Sequence, residues 1–350
     1  MSAVVVVGAG IMGASVAYHV ARQGIPVTLL DQGPSPATGV TGASFAWIGG
    51  CGGDWPGGAQ DLRGSVLADY RRLETELPHV AVRWTGSLTW TNAQTKQNSR
   101  LGPGRFRVGG SDIATLEPNL RCPPEQAIHT PSDGGIDPTA MTNALVDAAR
   151  AHGATVIHNS VVTSLKMAGE RVEGVLSSTG FHAAATVVLA AGTGIPKLCE
   201  PLPVSLPVAA SPACRARLTA PPGLVKTIVA GPDFEVREVR DGDLLLTFPH
   251  VEDQSATSLE QAAQAALRRL QTHFRGSDSC RLLGYRTGRR PMPAHGPIIG
   301  YATQDRSLYI AVTHSAVTLA PTAGRLIADE LVTGQPAPEL RRCRPHRVAS

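Results

Sequence analysis

Gly8, Gly10 and Gly13 follow the apolar run Val4 to Val7 in the spacing G-x-G-x-x-G, and an acid, Asp31, closes the next apolar run. Those residue types at those distances suit the binding of a diphosphate. Gly8 allows the tight bend, Gly10 lets backbone approach a pyrophosphate, and Gly13 lets a helix pack closely on the strand before it. The anion is expected on the free N–H groups where that helix begins, beside Ile11 and Met12. Asp31, with Gln32 next to it, can accept hydrogen bonds from both ribose hydroxyls of an adenosine half. Glycine turns occur wherever a strand meets a helix, so the register of the surrounding elements carries the reading. Ala14, Val16, Ala17 and Val20 make an apolar stripe at helical spacing; Gly24 is a stop signal, Pro26 lies just beyond, and Val27 to Leu30 is a second buried strand. Residues 4–31 thus predict a complete dinucleotide-binding βαβ unit.

The chain has 350 residues, more than one hydrophobic core usually organises, so two domains are expected. With 42% hydrophobic and 17% charged residues it reads as globular, and a dispersed net charge of +4 argues against nucleic acid as partner. The one basic cluster, Arg341, Arg342, Arg344, His346 and Arg347, reads as a solvated tail. No apolar stretch is long enough to cross a bilayer, and the N-terminus lacks the positive region of a signal peptide. Cys51, Cys122, Cys199, Cys214, Cys280 and Cys343 show neither zinc nor disulfide spacing, so no metal site is expected and a cytoplasmic setting is.

Further along, the pattern changes back and forth. The Gly/Pro/Ser/Thr-rich stretch after Asp31 is too long and unpatterned for a plain connector. A helix is predicted from about Leu62 to Leu77, with Leu62, Val66, Tyr70, Leu73 and Leu77 on one face, then strands at Val80 to Trp84 and Ser87 to Thr91 in an antiparallel layer. α/β pattern returns with Asp137 and Pro138 capping a helix through Ala151, a strand at Thr155 to His158, a small sheet from Val161 to Leu165 and Arg171 to Leu176, and a buried strand at Thr186 to Ala190 that ends in a second glycine turn at Ala191 and Gly192. Short strands resume after Pro201, including a hairpin of Phe234 to Arg240 and Asp243 to Phe248, interrupted by a helix over Leu259 to Phe274. Ser307 to Val312 and a helix to about Val332 close the chain. The expected fold is α/β (α+β overall), a Rossmann-like dinucleotide domain of residues 1–50, 134–200 and 282–350 interleaved with a β-rich antiparallel domain of residues 51–133 and 201–281. A nicotinamide dehydrogenase would complete its nucleotide domain in one run.

This order, with the motifs at its junctions, resembles the flavin-dependent amino-acid and amine oxidases, the superfamily of D-amino acid oxidase, glycine oxidase and sarcosine oxidase. Besides the glycine turn and Asp31, the resemblance rests on TGASFAWIGG, LEPNL at Leu116 to Leu120, GGIDP at Gly134 to Pro138, VVLAAG at Val187 to Gly192, GRRPMPAHGPIIG at Gly288 to Gly300 and HSAVTLAP at His314 to Pro321. It implies FAD held noncovalently: sarcosine oxidases carry a flavin-tethering cysteine in the segment corresponding to Arg290–Ile298, where this chain has Met292 and His295 instead. It also implies that Ser44, Phe45, Ala46 and Trp47 line the flavin, that Val162 meets the adenine through its backbone, and that Ala191 and Gly192 complete the cofactor contacts.

The resemblance makes Arg290 the residue that grips a substrate carboxylate, a task that the guanidinium fork performs in a bidentate geometry unavailable to lysine. His314 is expected near the flavin. Ser315, Ala316, Val317, Thr318 and Leu319 open a helix whose positive end and free N–H groups would favour the reduced flavin anion. The implied reaction oxidises an amino acid or secondary amine to an imine, with O2 or another acceptor taking the electrons. Two other readings are a flavin monooxygenase, which usually carries a G-D-A-x-H segment where Gly242–Asp243 here leads into LLLTF, and a noncatalytic dinucleotide-binding protein.

Overall fold

The computed structural model describes residues 2–49, 55–91, 101–252 and 254–347; Gly50 and Cys51, the end of the predicted flavin segment and one of the cysteines, lie outside them. The first of two eight-stranded sheets runs in the order Ile298–Tyr301, Leu308–Val312, Gly180–Leu189, Ser2–Val7, Val27–Leu30 and Thr155–Ile157, and is extended by Val162–Ala168 and Arg171–Ser177. Ser2–Val7 is parallel to both its neighbours, and Val5, Val6, Leu29, Leu30, Val187 and Val188 are fully buried. Continuous apolar strands are what a parallel sheet covered on both faces requires.

Three helices pack together on this sheet: Ile11–Ala21, Pro138–Ala151 and Ala316–Thr333. The first and last lie so close that a Cβ on Gly324 would come within 2.2 Å of Ser15 Oγ, which donates to the Ala320 carbonyl at 2.7 Å. Pro321 sits inside the last helix and cannot donate to the carbonyl of Val317. The Tyr70 hydroxyl supplies the missing donor at 2.5 Å, and Tyr70 is fully buried to do so.

The second sheet runs Arg281–Pro293, Val208–Thr219, Asp243–Thr247, Glu235–Arg240, Ile228–Ala230, Ser87–Thr89, Gln126–Thr130, Phe106–Gly109. Its pairs are antiparallel except where Ser87–Thr89 meets Ile228–Ala230. Helix Ala256–His273 covers it with Leu259, Ala263, Ala266, Leu267 and Leu270. The hairpin around Asp241–Gly242 and the helix capped by Asp137 appear as expected, the latter with Asp137 accepting from the N–H groups of Thr139 and Ala140.

Several expectations differ from the structure. The helix predicted from Leu62 to Leu77 is two helices, Ala59–Arg63 and Val66–Glu76, divided at Gly64, where lost backbone entropy costs about 1 kcal/mol against alanine. Its predicted stripe is nonetheless buried throughout. Val80 to Trp84 forms no strand. Only Arg83 bridges to Gly135, and the Val82 N–H donates to Glu74 Oε1 at 3.0 Å instead of to a ladder. The strand Arg281–Pro293, which carries Arg289 and Arg290, pairs along its length with Val208–Thr219 and so belongs to the second sheet.

His19, 2% exposed in the first helix, has a defined protonation state. Its Nδ1 lies 2.8 Å from the Ser15 carbonyl, which can only accept, and its Nε2 lies 2.9 Å from Arg72 Nη2, which can only donate. The ring is therefore neutral with the proton on Nδ1. Burial, reinforced by Arg72, lowers its pKa from 6.5 to about 4. Between those values the unfolded chain binds the extra proton and the folded one does not, so stability is full above pH 6.5 and falls towards pH 4. Urea unfolding at pH 7 and pH 4.5 should show this residue's share as a loss approaching about 3 kcal/mol, absent in His19→Gln. An equal loss in the variant would contradict the assignment.

Candidate active site

The glycine turn separates into glycines required by the fold and one that is not. Gly8 has φ +105°, and a Cβ there would lie 2.7 Å from the Ala190 carbonyl oxygen; one on Gly13 would lie 1.8 Å from that of Gly8. At Gly10, with φ −73°, a Cβ would meet only Thr41 Oγ1 at 3.1 Å. Gly10 is the N-cap of the first helix and offers it no side chain, while the Ile11 N–H reaches Thr41 Oγ1 at 3.1 Å. Asp31 is engaged within the turn: Oδ2 accepts from Ala9 N–H at 2.6 Å and Oδ1 from Gly33 N–H at 2.7 Å. Gln32 beside it is exposed.

A cleft of roughly 650 Å³ opens from this end of the first helix and runs between the two sheets. Its walls include Ile11, Thr41, Ser44 to Trp47, Arg290, and His314 to Val317, bringing together residues from distant parts of the sequence. At its far end helix Ala316–Thr333 starts at Ser315 without a side-chain cap. The N–H of Leu319 already donates to Ser315, so the helix's free donors are those of Ala316, Val317 and Thr318. Thr318 also ties its hydroxyl to the Trp47 carbonyl at 2.9 Å. Leu319 is fully buried; Gly8, Met12, Gly13, Asp31, Gln32, Val162, Ala191 and Gly192 lie outside the cleft wall. Val162 lies two residues after Ser160, whose N–H donates to the Asp31 carbonyl at 2.8 Å, and Ala191 abuts the Gly8 turn.

The segment from Ser44 to Trp47 has little regular structure, and side chains hold it in shape. Ala46 takes φ +55° and its N–H donates to Ser44 Oγ at 3.0 Å. Trp47 pairs with Gly135 and donates from Nε1 to Asp133 at 2.9 Å. Arg237, 1% exposed, reaches from the second sheet to donate to the carbonyls of Phe45 at 2.7 Å and Ile136 at 2.6 Å. A Cβ on Gly135 would lie 2.6 Å from Arg237 Nη1, so the GGIDP motif supplies a strand pair, room for this guanidinium and a helix cap together. LEPNL serves elsewhere: Glu117, 1% exposed, accepts from the Thr227 hydroxyl at 2.7 Å and from backbone N–H groups of residues 226 and 227.

Among the polar groups facing the cleft, Arg290 donates from Nη2 to Ser211 Oγ at 3.0 Å and to the Pro212 carbonyl at 2.8 Å. Its Nη1 and Nε donate to no described residue. Glu235, on another strand of the same sheet, faces the same cleft, and its side chain has no hydrogen bond or ion pair to a described residue. Burial raises its carboxyl above the ordinary range against the pull of Arg290. His314 is held towards its neutral form by burial, with Arg290 and Arg63 adding to the effect. Neither Glu235 nor Arg237 is announced by a motif; they sit among the alternating charges of the strand EVREVR, and nothing in that run singles them out. Among the described residues no cluster of His, Cys, Asp and Glu could hold a metal, and no helix is long and apolar enough to cross a membrane.

The chain belongs to the DAO family, FAD-dependent oxidoreductases, whose model matches residues 3–330. It is therefore an enzyme of the FAD-dependent amino-acid and amine oxidoreductase class. It is 26% identical to the oxidoreductase YurR of Bacillus subtilis, over 96% of each chain, and 26% identical to a D-amino acid dehydrogenase of Bradyrhizobium diazoefficiens, over 95% of this chain and 96% of that one. Its fold matches that of glycine oxidase from Geobacillus kaustophilus with a TM-score of 0.86 at 20% identity, over 99% of both. The residues present fit FAD. A backbone cradle stands open at Gly10, a cleft leads from it, and an uncapped helix end waits at the far side.

The division among the glycines predicts different outcomes for similar substitutions. Gly10→Val should lower the ratio of bound FAD to protein at least tenfold while the circular dichroism spectrum is kept. Gly13→Val should abolish the fold. A Gly10→Val protein with full flavin content would remove the diphosphate from this turn.

Proposed function

We propose that this enzyme oxidises the C–N bond of an amino acid or secondary amine to an imine, with FAD held noncovalently by the elements around the first sheet and the substrate covered by the second. The observation that carries the reading is Arg290: its guanidinium stands in the cleft shared by residues 44–47 and 314–317, and only Nη2 is committed to protein partners. The remaining N–H groups can grip a carboxylate, and the bonds to Ser211 and Pro212 fix the direction from which they do so.

Bound FAD supplies the hydride acceptor, N5 of its ring. The protein's part is to position the reacting C–H and to set protonation. An amine gives up hydride from its neighbouring carbon only when its nitrogen lone pair is free, so an ammonium substrate must first lose a proton. Glu235 faces the cleft with a carboxyl whose raised affinity for protons suits it to receive that one. His314, neutral, places no second cation beside Arg290. The N–H groups of Ala316 to Thr318 face the place where negative charge would collect on the reduced ring. Met292 and His295 stand where a tethering cysteine would be needed for covalent attachment. O2 or another acceptor completes the cycle.

Arg290→Ala should lower kcat/KM for a carboxylate substrate by about two to three orders of magnitude, the size of a lost charge-assisted pair, with FAD still bound. Arg290→Lys should recover only a small part. Anaerobic bleaching of the flavin across an amine and amino-acid panel tests both, and a preferred substrate with no carboxylate would sink the reading of Arg290.

Because Glu235 accepts a proton only as the carboxylate, kcat/KM in the wild type should rise with pH through a value above the ordinary glutamate range. Glu235→Gln should lose that limb of the profile. Its persistence would assign the limb to another group.

A further inference from the structure

A second cavity, roughly 470 Å³, lies on the other side of the Val40–Ala43 turn and shares no residue with the Arg290 cleft. Arg215, Arg217, Arg240 and Arg286 all line it, with Asp137 as the facing acid. The carboxylates nearby are already committed. Asp243 binds Arg217 through both oxygens and also holds Arg240 at 2.9 Å, while Asp137 caps its helix and reaches Arg217 only at 3.4 Å.

Arg215 and Arg286 are left without a counter-charge. Arg215 is 6% exposed, donates one hydrogen bond to the Gly42 carbonyl at 2.7 Å, and its buried Nε has no partner. Arg286 stands exposed against Gly42 and bonds to no described residue. Behind them Arg237, fully buried, bonds only to carbonyls. Burying guanidinium without an anion is costly, and a buried donor left unmade costs more again. A native fold keeps such a group where something else supplies the charge.

We propose that this cavity is a binding site for a dianionic oxyanion, a phosphate group carried by a small metabolite. Two guanidinium forks on one cavity match the several acceptor oxygens of a phosphate, which a single carboxylate does not exhaust. The volume falls in the range of small-molecule sites, leaving room for the body of a phosphate ester beyond the ion. The proposal is independent of the chemistry at Arg290, since no residue is shared.

The test uses the FAD-loaded protein at pH 7.5, with inorganic phosphate titrated against sodium chloride at matched ionic strength and thermal unfolding as the readout. The melting temperature should rise saturably by about 3–6 °C in phosphate and not in chloride. Arg286→Ala should shift the titration midpoint at least fivefold to higher phosphate, and Arg286→Glu should abolish the rise. Arg289→Ala, an equal charge change at an exposed neighbour outside the cavity, should leave the midpoint where it was. No rise beyond chloride would overturn the proposal. So would equal effects of Arg286→Ala and Arg289→Ala, which would mean an adventitious ion only. A rise seen in FAD-free protein and lost on loading with FAD would place the phosphate in the diphosphate cradle and also overturn it.

Discussion

Arg237 joins the two halves of this molecule. It grows from a strand of the second sheet, yet its hydrogen bonds go to carbonyls of Phe45 and Ile136, in the segments that border the first. A fully buried guanidinium cannot be satisfied by solvent, so those carbonyls must stay where they are or the charge is stranded. The position of residues 44–47 thus follows from a residue almost two hundred positions later in the chain. Gly135 is needed to give that guanidinium space, and Asp133, two residues before it, holds the Trp47 indole. The cleft is rigid here because three separate parts of the chain hold one irregular stretch.

Electrostatics shape both ends of that cleft in the same way. Each end is the start of a helix whose N-cap residue offers no side-chain cap, so free N–H groups and the positive end of the helix dipole are directed there and suit an anion. The last helix carries Pro321 in its interior, which frees the Val317 carbonyl, and the buried Tyr70 hydroxyl satisfies it. Tyr70 belongs to the helix pair whose apolar stripe packs into the core of the first half, so that pair also supports helix Ala316–Thr333.

Charge is spread unevenly over the second sheet. On the cleft side stand Arg290, the raised carboxyl of Glu235 and His314, held towards neutral, with Asp233 and His250 also on the wall. Beyond the Val40–Ala43 turn, guanidinium outnumbers carboxylate. The turn between them carries Thr41 at the start of the first helix and Gly42 under Arg215, so the two environments meet across a few backbone atoms.

Local signals were sufficient wherever function rests on backbone geometry. A glycine with positive φ, a strand buried on both faces and an aspartate capping a helix all work through near neighbours in sequence, and Gly8, Gly13, Val4 to Val7 and Asp137 could be read directly. The family's ordered motifs extended this to FAD and to residues that line the cleft, Arg290 among them. What the residues alone could not reveal were the partners of side chains. Gly64 divides a helix whose apolar stripe looks continuous, because the stripe records burial and not backbone continuity. The strand Arg281–Pro293 carries no mark of which sheet it joins, because pairing is decided by the strand beside it. Glu235 and Arg237 stand two apart in one β-strand, and alternation sends both to the same face. Only the tertiary structure decides that one meets a cleft and the other is buried between carbonyls, since the energy of a buried charge depends on what surrounds it in space.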